Sequence, residues 1–462
     1  MAKEVELKLS LPSHAVEAFK QDVNLGQQQG VLELDNQYFD TPDLALNQAH
    51  AALRVRKSQH GYKQTLKNKG QAIAGLHERG EWEYDIDSPQ IDWSLFANDI
   101  QIDEALKQAI QPLFKTDFTR HVWLQTWGES EIELVLDEGI IHTIKNSGEH
   151  LSTAQSINLC EIELELKSGR VEDLFVYAKT LAEKHPLVSC DINKAERGYG
   201  LLFPQMSFFA PFDFTSQWQQ ASLPITTLLQ ETLTRITRHW DRFSQQENWW
   251  SLWVIARQVS AVCWLLSEMP NCPDSIRGRW LVLQQDLNKI LQPATVVTGL
   301  YVDTNSNSRG LSQRLLSVVG SQLSNGLETW MQKNGLGMAL LELGEFLYAL
   351  HQQQNSDSNG YAWVQQLMHK VAQEQAVSES KLQSLAYVLL RCDDDRYQQV
   401  NEVIRCLTVS RAMMAANDMS GAITDETSRA KLASWQRRLT VENRNLLDAK
   451  QALFDALSNE LN

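Results

Sequence analysis

Glu4-Val5-Glu6-Leu7-Lys8, within AKEVELKLS, alternates charged and aliphatic residues without a break. A β-strand turns successive side chains to opposite faces, so this spacing sets two carboxylates and an ammonium in one row and Val5, Leu7 and Leu9 in the other. One such strand, taken alone, reads as an amphipathic strand with its charged face in water. Repetition changes that reading.

The same device recurs outward from this stretch. Arg54 and Arg56 alternate in AALRVRKSQHGYKQTLKNKG, where Gly61 marks a turn and Lys63, Thr65 and Lys67 share a face of the next strand. LHERGEWEYDID sets Arg79, Glu81 and Glu83 against Gly80, Trp82 and Tyr84. Arg120 lies in FTRHVWLQTW, Asp137 in IELVLDEG, and LCEIELELKSG carries Glu161, Glu163, Glu165 and Lys167. VLELDNQYFDTPD is a further strand, broken at Asp40-Thr41-Pro42 because proline cannot donate to a ladder. Between the strands, Ser13 is expected to cap a short helix over His14 to Asp22. Helices are also expected over 103–111 and 171–184. His60, His77 and His121 lie near these strands and are expected in loops or on the surface.

If the charged rows face inward, carboxylates a few ångströms apart repel and take up protons unless a cation neutralises them. A divalent metal does so. The arginines and lysines are then free to hold a polyanion, and a triphosphate brings both metal and negative oxygens.

Length and composition bound the alternatives. A chain of 462 residues exceeds one ordinary core, so two or three domains are expected. A formal net charge of −15 argues against broad binding to nucleic acid or anionic membrane. No basic-then-apolar leader opens the sequence and no run of about 18 apolar residues interrupts it, so a cytoplasmic protein is expected. Six cysteines without a Cys-x-x-Cys spacing fit reduced thiols better than a disulfide framework or a zinc site.

Taken together and in order, EVELK, LRVRK, QTLK, RGEWEYD, FTRHVW, LVLDEG, EIELELKSG and KAERGYGLL resemble the CYTH family, the triphosphate tunnel metalloenzymes. The resemblance covers about residues 1–202. It implies an antiparallel eight-stranded β-barrel tunnel with a charged lumen and flanking helices. It further implies that Glu4, Glu6, Glu161 and Glu163 ligate Mg²⁺ or Mn²⁺, with Asp137 and Glu81 serving a second ion. Lys8, Arg54, Arg56, Lys67, Arg120 and Lys194 would clamp phosphates, with Arg79 and Arg197 as further candidates. Glu165 has the inward parity without belonging to the family's motif, and Asn193 stands where relatives often have serine, a change expected to be tolerated. Glu4, Glu6, Lys8 and Asp137 form the implied catalytic set, acting on a metal-activated water that splits inorganic triphosphate into orthophosphate and diphosphate, with no protein nucleophile.

Residues 203–224, aromatic and proline-punctuated, read as the linker to a second domain. Beyond it the period becomes helical: Leu229, Leu233, Ile236, Trp240 and Phe243 recur at spacings of four and three, a stripe that needs a partner helix. Further stripes over about 249–268, 275–291, 327–351, 361–373, 379–415 and 428–458 give an all-α bundle over 225–462, and hence an α+β chain. DTNSNSRG and HQQQNSDSNG read as loops. After a CYTH-like domain this half resembles a CHAD domain, whose members carry histidines and basic residues for polyphosphate. WVIARQVSAVCWLL holds Arg257 nearly alone and the half has only His239, His351 and His369, which lowers the expectation of polyphosphate binding there. Trp249, Trp250, Trp253 and Trp264 read as packing core. Rival readings are a class IV-type adenylate cyclase, a hydrolase of thiamine triphosphate or of RNA 5′ ends, and a non-catalytic polyphosphate-binding adaptor.

Overall fold

Each charged-aliphatic alternation folds as a strand. In the computed structural model β1 is Ala2–Ser10, β2 Gln27–Asp40, β3 Ala52–Ser58, β4 Gly61–Lys67 and β5 Gln71–Ile73. The later strands are β6 Leu76–Ile86, β7 Gln111–Trp127, β8 Ser130–Thr143, β9 Ser156–Ser168 and β10 Val188–Ser189. The structure describes residues 2–68, 70–96, 103–144, 155–203, 225–246, 248–303, 306–352, 396–421 and 423–458, with 368, 371, 381, 382, 385 and 386.

Eight of these strands close an antiparallel barrel in the order β1-β9-β8-β7-β2-β3-β4-β6, with β6 returning to β1. β5 hems β6 and β10 hems β1. The register sets Lys8 opposite Glu163, Glu161 opposite Asp137, Asp137 opposite Arg120, Lys67 opposite Glu81 and Glu4 opposite Arg79. Ion pairs between strands that are not neighbours, Lys67 of β4 with Glu4 of β1 and Arg120 of β7 with Glu163 of β9, show that this face is the inside.

The aliphatic rows face outward and are covered in turn. Leu7, Leu9, Ile162 and Leu164 are fully buried, as are Leu174, Phe175, Ala178 and Leu181 of α4 (Val171–Ala182), which packs on β1 and β9. Burying each such leucine stabilises the fold by roughly 1.5–3 kcal/mol. Leu46, Leu53, Leu66, Trp82 and Phe96 form a second outer cluster. The shorter helices of this region are α1 (Val16–Lys20), α2 (Ala45–Gln48) and α3 (Glu104–Ala109).

One end of the lumen is apolar. The face of β2 and β7 that carries Asn36 and Arg120 also carries Leu34, Tyr38, Phe114 and Phe118, and these pack against Ala195, Tyr199 and Leu202 of α5 (Lys194–Leu202). Helix α5 therefore fills that end. The Tyr199 hydroxyl donates to Asp40 Oδ2 at 2.7 Å, and Gly198 faces the Phe114 ring so closely that a Cβ would sit 2.1 Å from it.

The second half is helical: α6 (Ile225–Gln246), α7 (Trp249–Ser267), α8 (Asp274–Leu291), α9 (Thr295–Val302), α10 (Ser306–Gln332), α11 (Gly335–Gln352), α12 (Arg396–Ser420), α13 (Glu426–Gln436) and α14 (Leu439–Ser458). Two compact units emerge: Met1–Ala210 with Leu233–Asn248 and Leu336–Gln353, and Pro211–Thr232 with Trp249–Gly335 and Gln354–Asn462. In the first, α11 lies against the barrel at Gly344, where a Cβ would be 2.8 Å from the Ala74 methyl and 3.1 Å from the Phe175 ring. In the second, Val296, Val297, Leu300, Leu311, Leu315, Val319, Met413 and Trp435 share one core.

Some expectations are corrected. Ser13 opens a 3-10 turn behind Pro12 and makes no side-chain cap, so α1 begins only at Val16. DTNSNSRG is not a loop throughout: α10 begins at Ser306. The stripe assigned to 327–351 is divided between α10 and α11, which turn at Asn334, held at φ 43°. Of the four tryptophans Trp264 is buried and Trp249 packs half-buried against the core of the second unit, as expected, whereas Trp250 and Trp253 are half-buried and stacked on each other at 4.6 Å. Residues 204–224, 353–367 and His369 lie outside the described residues, and with them most of the expected linker, the second polar run beyond Gln352 and most of the 361–373 stripe.

Candidate active site

Three carboxylates, Asp137 of β8 and Glu161 and Glu163 of β9, each offer an oxygen within 4.8 Å of the others. Their repulsion is met by three cations. Lys194, the first residue of α5, reaches Asp137 Oδ2 at 2.7 Å and Glu163 Oε1 at 3.0 Å and also pairs with Glu161. Lys8 pairs with Glu163 and lies 3.4 Å from Glu6 and 3.8 Å from Glu161. Arg120 grips both oxygens of Asp137, at 2.7 and 2.6 Å, and reaches Glu163 Oε2 at 2.9 Å. Burial alone would push the carboxyls of Asp137 and Glu163 up; Arg120 and Lys194 outweigh it at Asp137, and Lys194, Lys8 and Arg120 at Glu163, so both stay ionised.

Glu4 and Glu6 stand on the adjoining part of the lumen. Lys67 contacts both Glu4 oxygens at 2.8 Å, Arg79 donates to Glu4 Oε2 at 2.9 Å, and Arg79 also pairs with Glu6. Here too burial opposes ionisation and is overcome, at Glu4 by Lys67 and Arg79 and at Glu6 by Arg79 and Lys8. Glu81 is 3.2 Å from Lys67 and 3.8 Å from Arg54. The structure thus groups Asp137 with Glu161 and Glu163, whereas Glu81 sits among the cations of β3 and β4.

The wall formed by β3, β4 and β7 carries surplus positive charge. Arg56 donates to Asn36 Oδ1 at 2.8 Å rather than to a carboxylate. Burial and the neighbouring Arg54 and Arg120 bring its guanidinium down to about 9. Lys67 is lowered by burial and by Arg79. Burial should raise the Tyr38 phenol, yet Arg54 and Lys194 bring it below its ordinary value. The Tyr38 shift, in which neighbouring cations overcome burial, reports a positive potential suited to an anion.

Glu4, Glu6, Lys8, Arg54, Arg56, Lys67, Arg79, Glu81, Arg120, Asp137, Glu161, Glu163 and Lys194 all face this lumen. Arg197 does not join them: it points from α5 to Asp241 of α6. Glu165 pairs with Lys167, at 2.9 Å, farther along β9. Asn193 caps α5 by accepting from the Glu196 amide at 2.9 Å, the role its side-chain oxygen allows in place of serine. Sequence reasoning missed Asn36, Tyr38 and Phe118, whose parity on β2 and β7 matched that of Arg120; Lys194 Nζ and Arg120 lie 5.2 and 5.7 Å from the Phe118 ring. His60 is exposed and His121 half-buried, but His77 lies buried on β6, opposite Glu6, rather than in a loop or on the surface.

An all-oxygen donor set suits a hard divalent cation. Glu161 Oε2 is buried and, among the described residues, takes no hydrogen bond, as expected of an atom reserved for an ion. Asp137, Glu161 and Glu163 therefore fit a metal.

Residues 2–199 match the family profile described as the CYTH domain. The chain is 32% identical over 223 residues to an inorganic triphosphatase of Haemophilus influenzae, a match spanning 47% of this chain and 59% of the relative's length. Among solved structures, HpAC1 of Hippeastrum, described as having a dominant triphosphatase activity, covers 43% of this chain and 95% of its own at 20% identity and a TM-score of 0.33. The PH1819 protein of Pyrococcus horikoshii covers 44% and 99% at 18% identity and a TM-score of 0.28.

Proposed function

The chain carries a CYTH domain in residues 2–199, and from that premise we propose that its barrel hydrolyses inorganic triphosphate to orthophosphate and diphosphate with Mg²⁺ or Mn²⁺. The observation that carries this reading is the division of the lumen into a carboxylate triad with an unpartnered oxygen and a facing cationic wall. Asp137, Glu161 and Glu163 would hold an ion, and Glu4 and Glu6 supply further oxygens for a second one. When bound, the metal neutralises phosphate charge and lowers the pKa of water to be used as nucleophile.

The chain's own residues do the rest. Arg54, Arg56, Arg120 and Lys67 orient the phosphates, and a guanidinium fork matches phosphate oxygens in geometry as well as charge. Water adds to the terminal phosphorus as the bridging P–O bond breaks, and the same cations stabilise the charge that gathers on the leaving diphosphate. Lys8 and Lys194 neutralise Glu163 and its neighbours, and an ion held by the same carboxylates would share that task, leaving the two ammoniums able to hold phosphate oxygens as well. The helical half is proposed to be a divergent CHAD-like module. A cytoplasmic setting belongs to the same proposal: the cysteines among the described residues are free, and no helix among those residues is long and apolar enough to cross a membrane.

A phosphate-release panel over triphosphate, diphosphate, long-chain polyphosphate, ATP and thiamine triphosphate, with and without chelator, tests the reading. Triphosphate should be cleaved fastest, chelator should abolish release, and Arg56→Ala should lower kcat by about a hundredfold. Equal rates on ATP, or cyclic nucleotide with diphosphate as products, would overturn it.

A further inference from the structure

Helix α6 reaches both lysines of the carboxylate triad by separate routes. Asp241 accepts from Arg197 Nη1 at 2.8 Å and Nη2 at 2.5 Å, and Arg238 pairs with Glu196. Both partners lie on α5 within one turn of Lys194, so these pairs fix the rotation of the helix that presents Lys194. The second route begins at Thr237, whose hydroxyl donates to Asp191 Oδ2 at 2.5 Å. Asp191 Oδ1 accepts from the Gly75 amide at 2.8 Å, and Gly75 O accepts from the Lys8 amide at 2.9 Å. Gly75 holds φ at +91°, and a Cβ there would lie 2.8 Å from Lys8 O, so the β5–β6 turn is pressed onto the Lys8 backbone.

Thr237, Asp191, Arg197 and Asp241 are all at least nine-tenths buried. Buried ion pairs contribute little net stability, and fixing register is their best-attested use. Here the register being fixed is that of two ammoniums which share Glu163.

We propose that Thr237 and Asp241 are positioning residues of the barrel, setting Lys194 and Lys8 against Glu163 from outside the strands, so that α6 is part of the catalytic unit. This rests on the triphosphatase reading above. Phosphoryl transfer without a protein nucleophile depends on placement, and a displacement of about 1 Å costs up to a hundredfold in rate.

The test uses the full chain with Asp241→Asn, Asp241→Glu and Thr237→Val, measuring triphosphate turnover, triphosphate binding by calorimetry, and thermal melting. Asp241→Asn should lower kcat about tenfold and weaken triphosphate binding about tenfold, and Asp241→Glu should recover most of both losses. Thr237→Val should lower kcat several-fold while melting within a few degrees of the parent. A merely structural role would move melting and leave kcat and the glutamate rescue alone; wild-type kcat in both Asp241→Asn and Thr237→Val overturns the proposal. If Asp241→Asn does not fold, the kcat of Thr237→Val decides. Should the parent chain cleave no triphosphate, the functional reading fails, and positioning is decided by whether the variants bind triphosphate about tenfold more weakly or equally well.

Discussion

Glu163 meets Lys8, Lys194 and Arg120 at once, so removing one cation leaves carboxylates crowded in a largely buried site. With chelator present, Lys8→Met should cost about 3–5 kcal/mol in urea unfolding. Mn²⁺ should recover part of that loss by replacing the missing charge, since binding to the native state stabilises it; no recovery would argue against a metal at this point. His77 behaves differently. Burial, then Arg79, lowers its imidazole to about 4 from an ordinary 6.5, and its Nε2 has no hydrogen-bond partner among the described residues. Between those values the unfolded chain binds the proton and the native one does not, so native stability falls as pH drops from about 6.5 to 4. The depressed carboxyls of Glu4 and Glu163 add their own loss only below their ordinary value of 4.5, because their stabilisation is present above it and vanishes as they protonate. Unfolding free energies of chelated His77→Leu from urea titrations should therefore vary less with pH than the parent's between pH 6.5 and 4.5, by up to a few kcal/mol, with the steeper fall below pH 4.5 retained.

At the scale of elements, α5 is the piece whose placement decides most. A mid-helix glycine normally gives way to alanine with a gain of about 1 kcal/mol. At Gly198 the sign should reverse, because the new methyl would enter the Phe114 ring, itself fully buried, stacked on Tyr38 at 4.7 Å and set edge-on to Tyr199. Gly198→Ala should lose about 1–3 kcal/mol in melting experiments, and kcat should fall with it because Lys194 begins the same helix; a stabilised variant would contradict the packing described. The strands are legible because alternation is a local signal with period two, which sets Glu4, Glu6, Lys8, Arg54, Arg56, Asp137, Glu161 and Glu163 in charged rows; Arg120 and the roles of all of them come from the resemblance to the CYTH motifs. What was not legible depends on closure. Asn36, Tyr38 and Phe118 look like ordinary strand residues until the barrel turns them toward Arg56, Arg54 and Lys194. Arg197 shares a motif and, three residues on, nearly a helix face with Lys194, and what draws it from the lumen is Asp241 of α6, which lies far away in sequence. His77 falls in a charged strand, and it is flanked by Glu6 of β1 and Ala72 of β5 only once the barrel closes.

At the scale of the whole molecule, the compact unit that holds the barrel is discontinuous in sequence. Leu233–Asn248 and Leu336–Gln353 belong with it. Cutting the chain at residue 203 would remove Asp241 from Arg197, Glu345 from Lys179, and Tyr348 from beside Phe175, and would uncover Ala74 where α11 lies on it. Leaving Arg197 buried without a counter-charge costs about 3–5 kcal/mol, a large share of the roughly 5–15 kcal/mol by which a domain is stable. A fragment of residues 1–203 should thus unfold at distinctly lower urea than the intact chain. A fragment of residues 1–248 should be intermediate, because it restores the Arg197 pair and the Thr237 hydroxyl but not the packing of α11. Coincident midpoints for the two fragments and the full chain, read from the barrel's own tryptophans Trp82, Trp123 and Trp127 in variants lacking those of the helical half, would show that the strands stand without these helices.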